Sequence, residues 1–345
     1  MNKERLNCLQ LFSILFFIMV APLTGLSLIG IFKKANVDAY LCPLFASLLG
    51  IPLMLIFIFL SNYKPDLTLG EKIISIFGKV LGNIINYLLI VFILLFSVTL
   101  LFNLSDFIVS QFLPETPTYV VACLFASIII YINTKGIETI SRVSLVLFVI
   151  TFIFFMTTIF GLYPSLKIDN FKPFLEYGFK NPLSGSLYIL FLNYFPIFTL
   201  LTVPKNQITD KKKYTKWFIG TYIFSSLFMF GIIFITLGNL GINLSQLYQY
   251  PEYIVLKRIN LFEFLDRIEN LLSIQRILKI YISLSFFTYF ISNTIKPHNK
   301  SKIIPFFILI PMIIIPQIQY DNNTQFNNFI LNYFNNVLYK LNFLW

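Results

Sequence analysis

Long apolar runs separated by short polar segments dominate the pattern of this chain, and many approach the roughly 20 residues that a helix needs to cross a bilayer. We predict ten spans, at 9–31, 40–60, 84–112, 118–133, 143–163, 185–203, 215–238, 271–293, 303–319 and 324–342. The expected fold is therefore an all-α integral membrane protein with about ten transmembrane helices in a single domain, residues 1–345.

The first span is interrupted near its middle. The apolar run LFSILFFIMV is followed by Ala21, Pro22, Leu23, Thr24 and Gly25 before apolar residues resume. Proline removes an amide donor and glycine lets the backbone leave helical angles, so this stretch predicts a broken helix. Irregular backbone at membrane depth is tolerated where it lines a cavity, and we predict that these five residues contact a ligand. The alternative is that proline only kinks a continuous helix.

The sixth span carries a second interruption, in which an amide and a proline stand within an apolar run. The residues are Asn193, Tyr194, Phe195 and Pro196. Interrupted helices five spans apart are typical of transporters with two inverted repeats, here about 9–163 and about 185–342. We therefore predict a LeuT-like 5+5 arrangement, with a ligand pocket between broken helices 1 and 6. Free amides and carbonyls at such breaks suit a zwitterion, so an amino acid is the expected ligand.

Charge adds an orientation to this picture. The chain is 57% hydrophobic and 12% charged, with a formal net charge of +11. Lys and Arg are more numerous in the segments assigned to the inner side, among them Lys211, Lys212 and Lys213, which predicts a cytoplasmic N-terminus. The lysine cluster could also dock on anionic lipid of the bilayer. Binding of nucleic acid is not expected.

The sequence predicts neither an enzyme nor a metal or cofactor site. Cys8, Cys42 and Cys123 are isolated and have no metal-ligand spacing. His298 is the single histidine and lies in a polar loop. We find no nucleotide-binding loop and no spacing typical of a catalytic triad.

Three side chains within the spans are candidates for ion coupling or gating. Asp106 lies near the outer end of span three, and Lys279 and Ser283 lie on span eight. An ionisable group inside a membrane marks a functional site by default, and the Lys279 amine could replace a coupling cation. The alternative is that Lys279 and its neighbour Arg276 reach the membrane surface along their apolar stems.

The connection 242–270 is long and amphipathic, and we expect it to cover the outer mouth of the pocket. The residues predicted to cover the pocket are Tyr250, Ile254, Ile259, Phe262 and Leu265, and those predicted to face water are Glu252, Lys257, Arg258 and Asp266. A connector resting on the membrane surface is the alternative. A candidate surface for a partner subunit consists of Arg258, Asp266, Arg267 and Glu269, with a solvated face as its alternative.

The segment from Tyr250 to Leu271, YPEYIVLKRINLFEFLDRIENL, resembles the most recognisable stretch of the spore germination permeases, the B subunits of nutrient germinant receptors. Further motifs in the same order extend the resemblance over nearly the whole chain. They are Gln10-Leu11, Val37-Asp38-Ala39-Tyr40, Leu113-Pro114-Glu115-Thr116-Pro117 and Lys135-Gly136-Ile137-Glu138 with Arg142. Glu138 and Arg142 stand four residues apart at a helix start and are expected to form an ion pair.

This resemblance implies a ten-helix protein of the amino acid, polyamine and organocation superfamily in the inner spore membrane. It implies binding of a small-molecule germinant and assembly with an A-type membrane subunit and a C-type lipoprotein. Two departures from the family pattern concern the ligand: Ala21-Pro22-Leu23 stands where related permeases are usually glycine-rich, and no carboxylate lies near Phe195. A proton-coupled amino acid transporter and a scaffold subunit that binds no ligand are the alternatives.

Overall fold

The computed structural model describes residues 6–176, 178–259, 268–296 and 303–319, and these residues fold into helices joined by short turns. The α-helices are α1 (Cys8–Pro22), α2 (Leu28–Ala35), α3 (Cys42–Leu49), α4 (Ile51–Asn62), α5 (Leu69–Phe112), α6 (Thr118–Thr134), α7 (Ile137–Leu162), α8 (Lys180–Ile189), α9 (Tyr214–Leu247), α10 (Pro251–Ile254), α11 (Ile268–Ile295) and α12 (Ile304–Gln319). The prediction of an all-helical chain is confirmed for this part of the molecule.

Five helical segments among the described residues are long and apolar enough to cross a membrane. They are Leu69–Phe112, Ile137–Ser165, Lys180–Thr202, Lys211–Leu247 and Leu272–Ile295. A sixth span results if Leu28–Leu49 and Ile51–Asn62, which are bent by 41° relative to each other, form one unit. Shorter apolar helices occupy the predicted spans one, four and nine. The tenth predicted span, 324–342, lies outside the described residues.

Helix α1 is the centre of the bundle. Every residue from Leu11 to Pro22 is buried, and the helix packs against α7, α9 and α11. Phe16 contacts Phe148 of α7 and Phe228 of α9 edge to face, with ring centroids 4.9 Å apart in both pairs. A helix that is apolar on all sides must be surrounded, and the neighbouring helices supply that surrounding. The interruption of the first span therefore lies deep in the protein.

Both interruptions are π-helical turns. Helix α1 runs directly into a π turn at Leu23–Ser27, and α8 runs into one at Leu190–Tyr194. Pro22 itself is helical, with φ −66° and ψ −21°. In span one the prediction of an unwound segment is wrong, because a wider turn accommodates the missing proline amide without leaving helical geometry, and the alternative of a kinked, continuous helix is the one observed. In span six the π turn passes into the 3₁₀ segment Phe195–Thr202, so the α-helix does not resume after the interruption.

Local sequence signals account for several helix ends. Asn7 and Thr68 each close a capping box at the starts of α1 and α5. Gly78 has φ 79° and bends the chain within Leu69–Phe112, a conformation open to glycine and strained for other residues. The ion pair between Glu138 and Arg142 at the start of α7 is confirmed.

The N-terminus and the lysine cluster lie at the same end of the bundle. The Leu6 amide donates to the Gln207 carbonyl at 2.9 Å, and the Thr209 amide donates to the Leu6 carbonyl at 2.9 Å. Residues 211–213 form a short 3₁₀ turn immediately after this contact. The structure thus brings together two segments that the charge pattern assigns to one side of the membrane.

Close packing of α2 on α8 holds the two π turns near each other and yields a test. A Cβ at Gly30 would lie 2.6 Å from Cε1 of Tyr188, a fully buried ring. We expect Gly30→Ala to lower the free energy of unfolding of the purified protein in detergent by about 1–3 kcal/mol through overpacking.

Gly220→Ala is the matched control, because a Cβ at Gly220 of α9 meets no atom within 4 Å. Its stability should be unchanged or slightly higher, since alanine is the better helix former. Equal stabilities of the two variants would contradict the proposed close packing.

Candidate functional site

A single amide side chain joins the two π turns. Asn193 is fully buried, and its Nδ2 donates to the Met19 carbonyl at 2.7 Å. In a regular helix that carbonyl would accept from Leu23, but the Leu23 amide donates to Val20 instead. The hydroxyl of Ser27 donates to Asn193 Oδ1 at 3.1 Å. Asn193 therefore supports the first turn at both ends.

The remaining predicted residues of span six are also packed within the protein. Tyr194 is fully buried, and its hydroxyl lies 2.7 Å from that of Ser226 in α9. Phe195 and Pro196 open a 3₁₀ segment, Phe195–Thr202, and the Phe195 ring contacts Phe92 of α5. The structure thus brings spans one and six into direct contact through hydrogen bonds.

A small cavity lies beside the first π turn, and apolar side chains together with polar and charged ones line it. Helices α5, α7, α9, α10 and α11 complete its wall. Its polar and charged lining consists of Thr24, Thr158, Thr236, Glu252, Tyr253, Ser273, Gln275, Arg276 and Lys279. The volume is about 40 Å³, enough for a few water molecules at roughly 10–15 Å³ each. In this structure the cavity is therefore too small for a solute larger than a few waters.

Of the nine predicted ligand contacts, Thr24 lines this cavity. Its hydroxyl donates to the Ala21 carbonyl at 3.3 Å. Ala21, Pro22 and Leu23 are buried against neighbouring helices, and Gly25 follows Thr24 within the turn. Within this segment the contact with the cavity is therefore made by Thr24.

Arg276, about two turns into α11, holds in place the cover of the cavity, which consists of α10 and the 3₁₀ turn Val255–Arg258. Its guanidinium forms an ion pair with Glu252 of α10, whose side chain is 12% exposed, and donates to Asn103 Oδ1. The group also lies 4.6 Å from the ring centroids of Phe107 and Tyr250. Arg276 is 3% exposed, so it is enclosed and does not reach the membrane surface.

Glu252 was expected to face water, and this prediction is wrong. The carboxylate turns inward because the buried Arg276 charge is stabilised only when an opposite charge reaches it. Sequence reasoning missed this pair because the two residues belong to different elements. An arginine within an apolar helix, close to an acidic residue of the preceding connection, is the signal that could have found it.

The second gating candidate, Asp106, belongs to the same cover. Its Oδ2 accepts hydrogen bonds from the Tyr250 hydroxyl and from Nε2 of Gln249, the latter at 3.2 Å. Burial, with the nearby Asp106 carboxylate, raises the pKa of Tyr250 well above its ordinary value, so its hydroxyl remains a donor. As predicted for the covering segment, Tyr250 and Ile259 are buried. Phe262 and Leu265 lie outside the described residues.

Lys279 and Ser283 lie one and two turns further along α11. Lys279 is 2% exposed and lines the cavity, and its amine is 5.9 Å from the Phe228 ring centroid. The Ser283 hydroxyl donates to the Phe17 carbonyl at 2.9 Å and is also within 3.0 Å of the Lys279 carbonyl. Ser283 therefore ties α11 to α1, while the Lys279 amine faces the cavity.

The predicted partner surface is described in part. Arg258 is exposed, and its guanidinium donates to the Asn239 carbonyl near the bend at Gly241. Glu269 is partly exposed in the first turn of α11. Asp266 and Arg267 lie outside the described residues.

These features define a class of protein. An all-helical bundle with five or six membrane-length helices among the described residues, whose central helix is interrupted beside a small cavity, is typical of an integral membrane protein.

Comparison with known proteins gives the family. The family described as "Spore germination protein" matches residues 5–325, and the chain belongs to this spore germination permease family of non-enzymatic proteins. It is 23% identical to spore germination protein KB of Bacillus subtilis (strain 168) over 302 residues, an alignment that covers 84% of this chain and 77% of the relative. It is 23% identical to spore germination protein XB of Bacillus anthracis over 256 residues, which are 72% of this chain and 70% of the relative. It is 24% identical to spore germination protein A2 of B. subtilis over 228 residues, which are 64% of this chain and 60% of the relative.

The role of Asn193 can be tested by removing its amide. We expect Asn193→Leu to destabilise the purified protein by about 1–3 kcal/mol, because the buried Met19 carbonyl loses its donor. The measurement is the free energy of unfolding in detergent.

Ser27→Ala is the graded control for this test. It removes one hydrogen bond to Asn193 and leaves the Met19 carbonyl bonded, so its loss should be smaller. Equal losses for the two variants would show that Asn193 does not support the turn through that carbonyl.

The ion pair in the cover gives a second test. Glu252→Leu should lower stability by about 3–5 kcal/mol, because it leaves Arg276 buried without its carboxylate. The double variant Glu252→Leu/Arg276→Met should recover most of that loss, measured as the same free energy of unfolding.

Glu252→Gln, which keeps an acceptor oxygen, should fall between the native protein and Glu252→Leu. If the double variant is as unstable as Glu252→Leu, the loss does not come from an uncompensated charge.

Proposed function

We propose that this chain is the B-type subunit of a nutrient germinant receptor and that it binds a small germinant, an amino acid, in the cavity beside Thr24. The observation that carries the proposal is the small cavity at the interrupted central helix, whose lining includes Glu252, Arg276 and Lys279. Ionisable side chains are costly at membrane depth and typically mark a binding site or an ion pathway. A scaffold without a ligand has no need for ionisable groups at this depth, so their presence around the cavity favours binding.

The proposal modifies the pocket predicted from the sequence. Asn193 and Tyr194 bond to the protein itself, so we assign them to supporting the first turn rather than to contacting the ligand. The residues from Ala21 to Gly25 shape the wall next to the ligand, and Thr24 supplies a hydroxyl. Phe195 and Pro196 belong to the supporting segment in the same way.

Binding would act by changing the balance between closed and open conformations. A cavity of about 40 Å³ is smaller than an amino acid requires, so binding has to move the cover formed by α10 and the turn after it. The interactions that move are the Glu252–Arg276 ion pair and the Tyr250–Asp106 hydrogen bond. A ligand shifts such an equilibrium only through contacts that differ between the two conformations.

We further propose that the shift passes to an A-type membrane subunit and a C-type lipoprotein, the partners implied by the family. The surface offered to them includes Arg258 and Glu269, which lie next to the moving cover. The protein would reside in the inner membrane of the spore, with its N-terminus on the core side. Leu6 forms backbone hydrogen bonds with Gln207 and Thr209. This contact supports placing the segment before α1 and the loop that carries the lysine cluster on the same side of the membrane.

A ten-span fold with two inverted repeats belongs to the same proposal. The presence of a π turn in span one and in span six supports it, because matched interruptions are expected from a repeated unit. The repeat boundaries, about 9–163 and about 185–342, keep these turns in corresponding positions.

A proton-coupled amino acid transporter is the second candidate function. The observation that favours it is the enclosed Lys279 amine, which could act in the coupling step with Asp106 in the gate. Sustained uptake of labelled amino acid by the reconstituted chain alone would identify a transporter, whereas binding without uptake supports a receptor.

Nutrient-triggered germination of spores that carry Thr24→Val tests the proposed function. The variant keeps the shape of the side chain and removes its hydroxyl from the cavity. We expect one nutrient response to require about tenfold more nutrient, since a hydrogen bond to a charged ligand contributes about 1.5–3 kcal/mol. Protein abundance and complex assembly should stay at the native level.

Thr151→Val is the matched control, because Thr151 is buried in α7 and its hydroxyl has no hydrogen-bond partner among the described residues. Its nutrient responses should equal those of native spores. If Thr24→Val spores respond to every nutrient as native spores do, the cavity does not bind the germinant.

A further inference from the structure

The cavity contains a buried cation for which the described part of the chain provides no counter-ion. Lys279 is 2% exposed, lines the cavity and takes part in none of the ion pairs formed among the described residues. Its neighbour one turn earlier is Arg276, which has the same charge. A buried charge without an opposite charge is strongly unfavourable, so a bound anion would stabilise Lys279.

The carboxylates nearest to the cavity are already engaged. Glu252 pairs with Arg276, and Asp106 accepts from Tyr250 and Gln249 without lining the cavity. Neither bonds to Lys279. The arginine pair is thus satisfied locally, and the lysine is left as the charge that a ligand can neutralise.

A second unpartnered donor lies on the same helix face. Nε of Arg276 is buried and has no hydrogen-bond partner among the described residues. Lys279 and Arg276 are three residues apart on α11, so their side chains emerge on the same side. The hydroxyl of Thr24 lines the same space. Two cationic donors and a hydroxyl are the groups that bind a carboxylate.

We propose that this cavity binds a small anion of the carboxylate class, with Lys279 as its charge partner. This inference rests on the proposed function in one respect: the bound anion is taken to be the carboxylate group of the germinant. A free small carboxylate would satisfy the same chemistry. The two sources are therefore separated by the test.

The test measures the thermal unfolding midpoint of the purified full-length chain in detergent, titrated with sodium acetate at constant ionic strength in sodium chloride. Acetate should raise the midpoint of the native chain. Lys279→Met should lose this rise, with the apparent affinity for acetate falling about tenfold or more. Without acetate its midpoint should equal or exceed the native value, because the substitution removes a buried uncompensated charge.

Lys72→Met is the matched control. Lys72 is also 2% exposed, but its amine donates to the Leu60 carbonyl at 2.6 Å and does not line the cavity. This variant should keep the native response to acetate. Lys279→Gln is a second test variant, with the same expected loss as Lys279→Met, in case the methionine variant does not fold.

Glycine and glycinamide distinguish the two sources of carboxylate. Stabilisation by glycine and by acetate, but not by glycinamide, supports an amino acid bound through its carboxylate. Stabilisation by acetate alone supports a site for a free carboxylate. An unchanged acetate response in Lys279→Met and Lys279→Gln, or no response of the native chain to acetate and glycine, would overturn the proposal.

Germination of Lys279→Met spores separates this inference from the proposed function. Normal nutrient responses together with a lost acetate response would leave the anion site standing and refute germinant sensing in this cavity. Impaired germination of Thr24→Val spores without any carboxylate response of the purified native chain would refute the anion site alone.

Discussion

A carbonyl group freed inside a membrane-embedded bundle has no water to bond, so its donor must come from the protein. This situation arises in the central helix at the start of the π turn, where the Leu23 amide donates to Val20 and the Met19 carbonyl accepts from a side chain of another helix. Asn193 supplies that donor from the other interrupted helix. The two interruptions are therefore one structural unit: the irregularity in α1 is stable because α8 ends in a π turn that presents an amide to it.

Buried charged groups also need partners, and in this chain their contacts hold the cover on the bundle. The charge of Arg276 is balanced by Glu252, and its guanidinium also contacts Asn103 and two aromatic rings. These contacts hold α10 on the bundle. Because each of them favours the closed cavity, a ligand has to compensate for whatever part of them it breaks. Buried polar contacts of this kind are either made or broken, with few intermediate arrangements. A cover held by them can therefore switch between two distinct conformations rather than deform gradually.

The features that sequence patterns predicted are those fixed locally. Apolar run length located the membrane-length helices, and four-residue spacing identified the Glu138–Arg142 pair. The positions of both interruptions were also visible, because proline and asparagine in an apolar run have few alternatives. The π geometry, the partner of Asn193 and the inward turn of Glu252 could not be predicted, because each depends on a contact between segments far apart in the chain. The cavity that Thr24 lines contains none of the predicted span-six residues, because its other walls also depend on contacts between distant segments.

The π turn of the first span links the cavity to the rest of the bundle. Thr24 lines the cavity, and Ser27, three residues later in the same turn, bonds to Asn193. A ligand that shifts Thr24 therefore acts on a five-residue turn whose other end is fixed to span six. On the opposite wall, Ser283 holds α11 to the Phe17 carbonyl, so movement of Lys279 also reaches α1. Both walls of the cavity meet on the central helix, so a ligand bound as proposed would act directly on α7, α9 and α11, which pack around that helix.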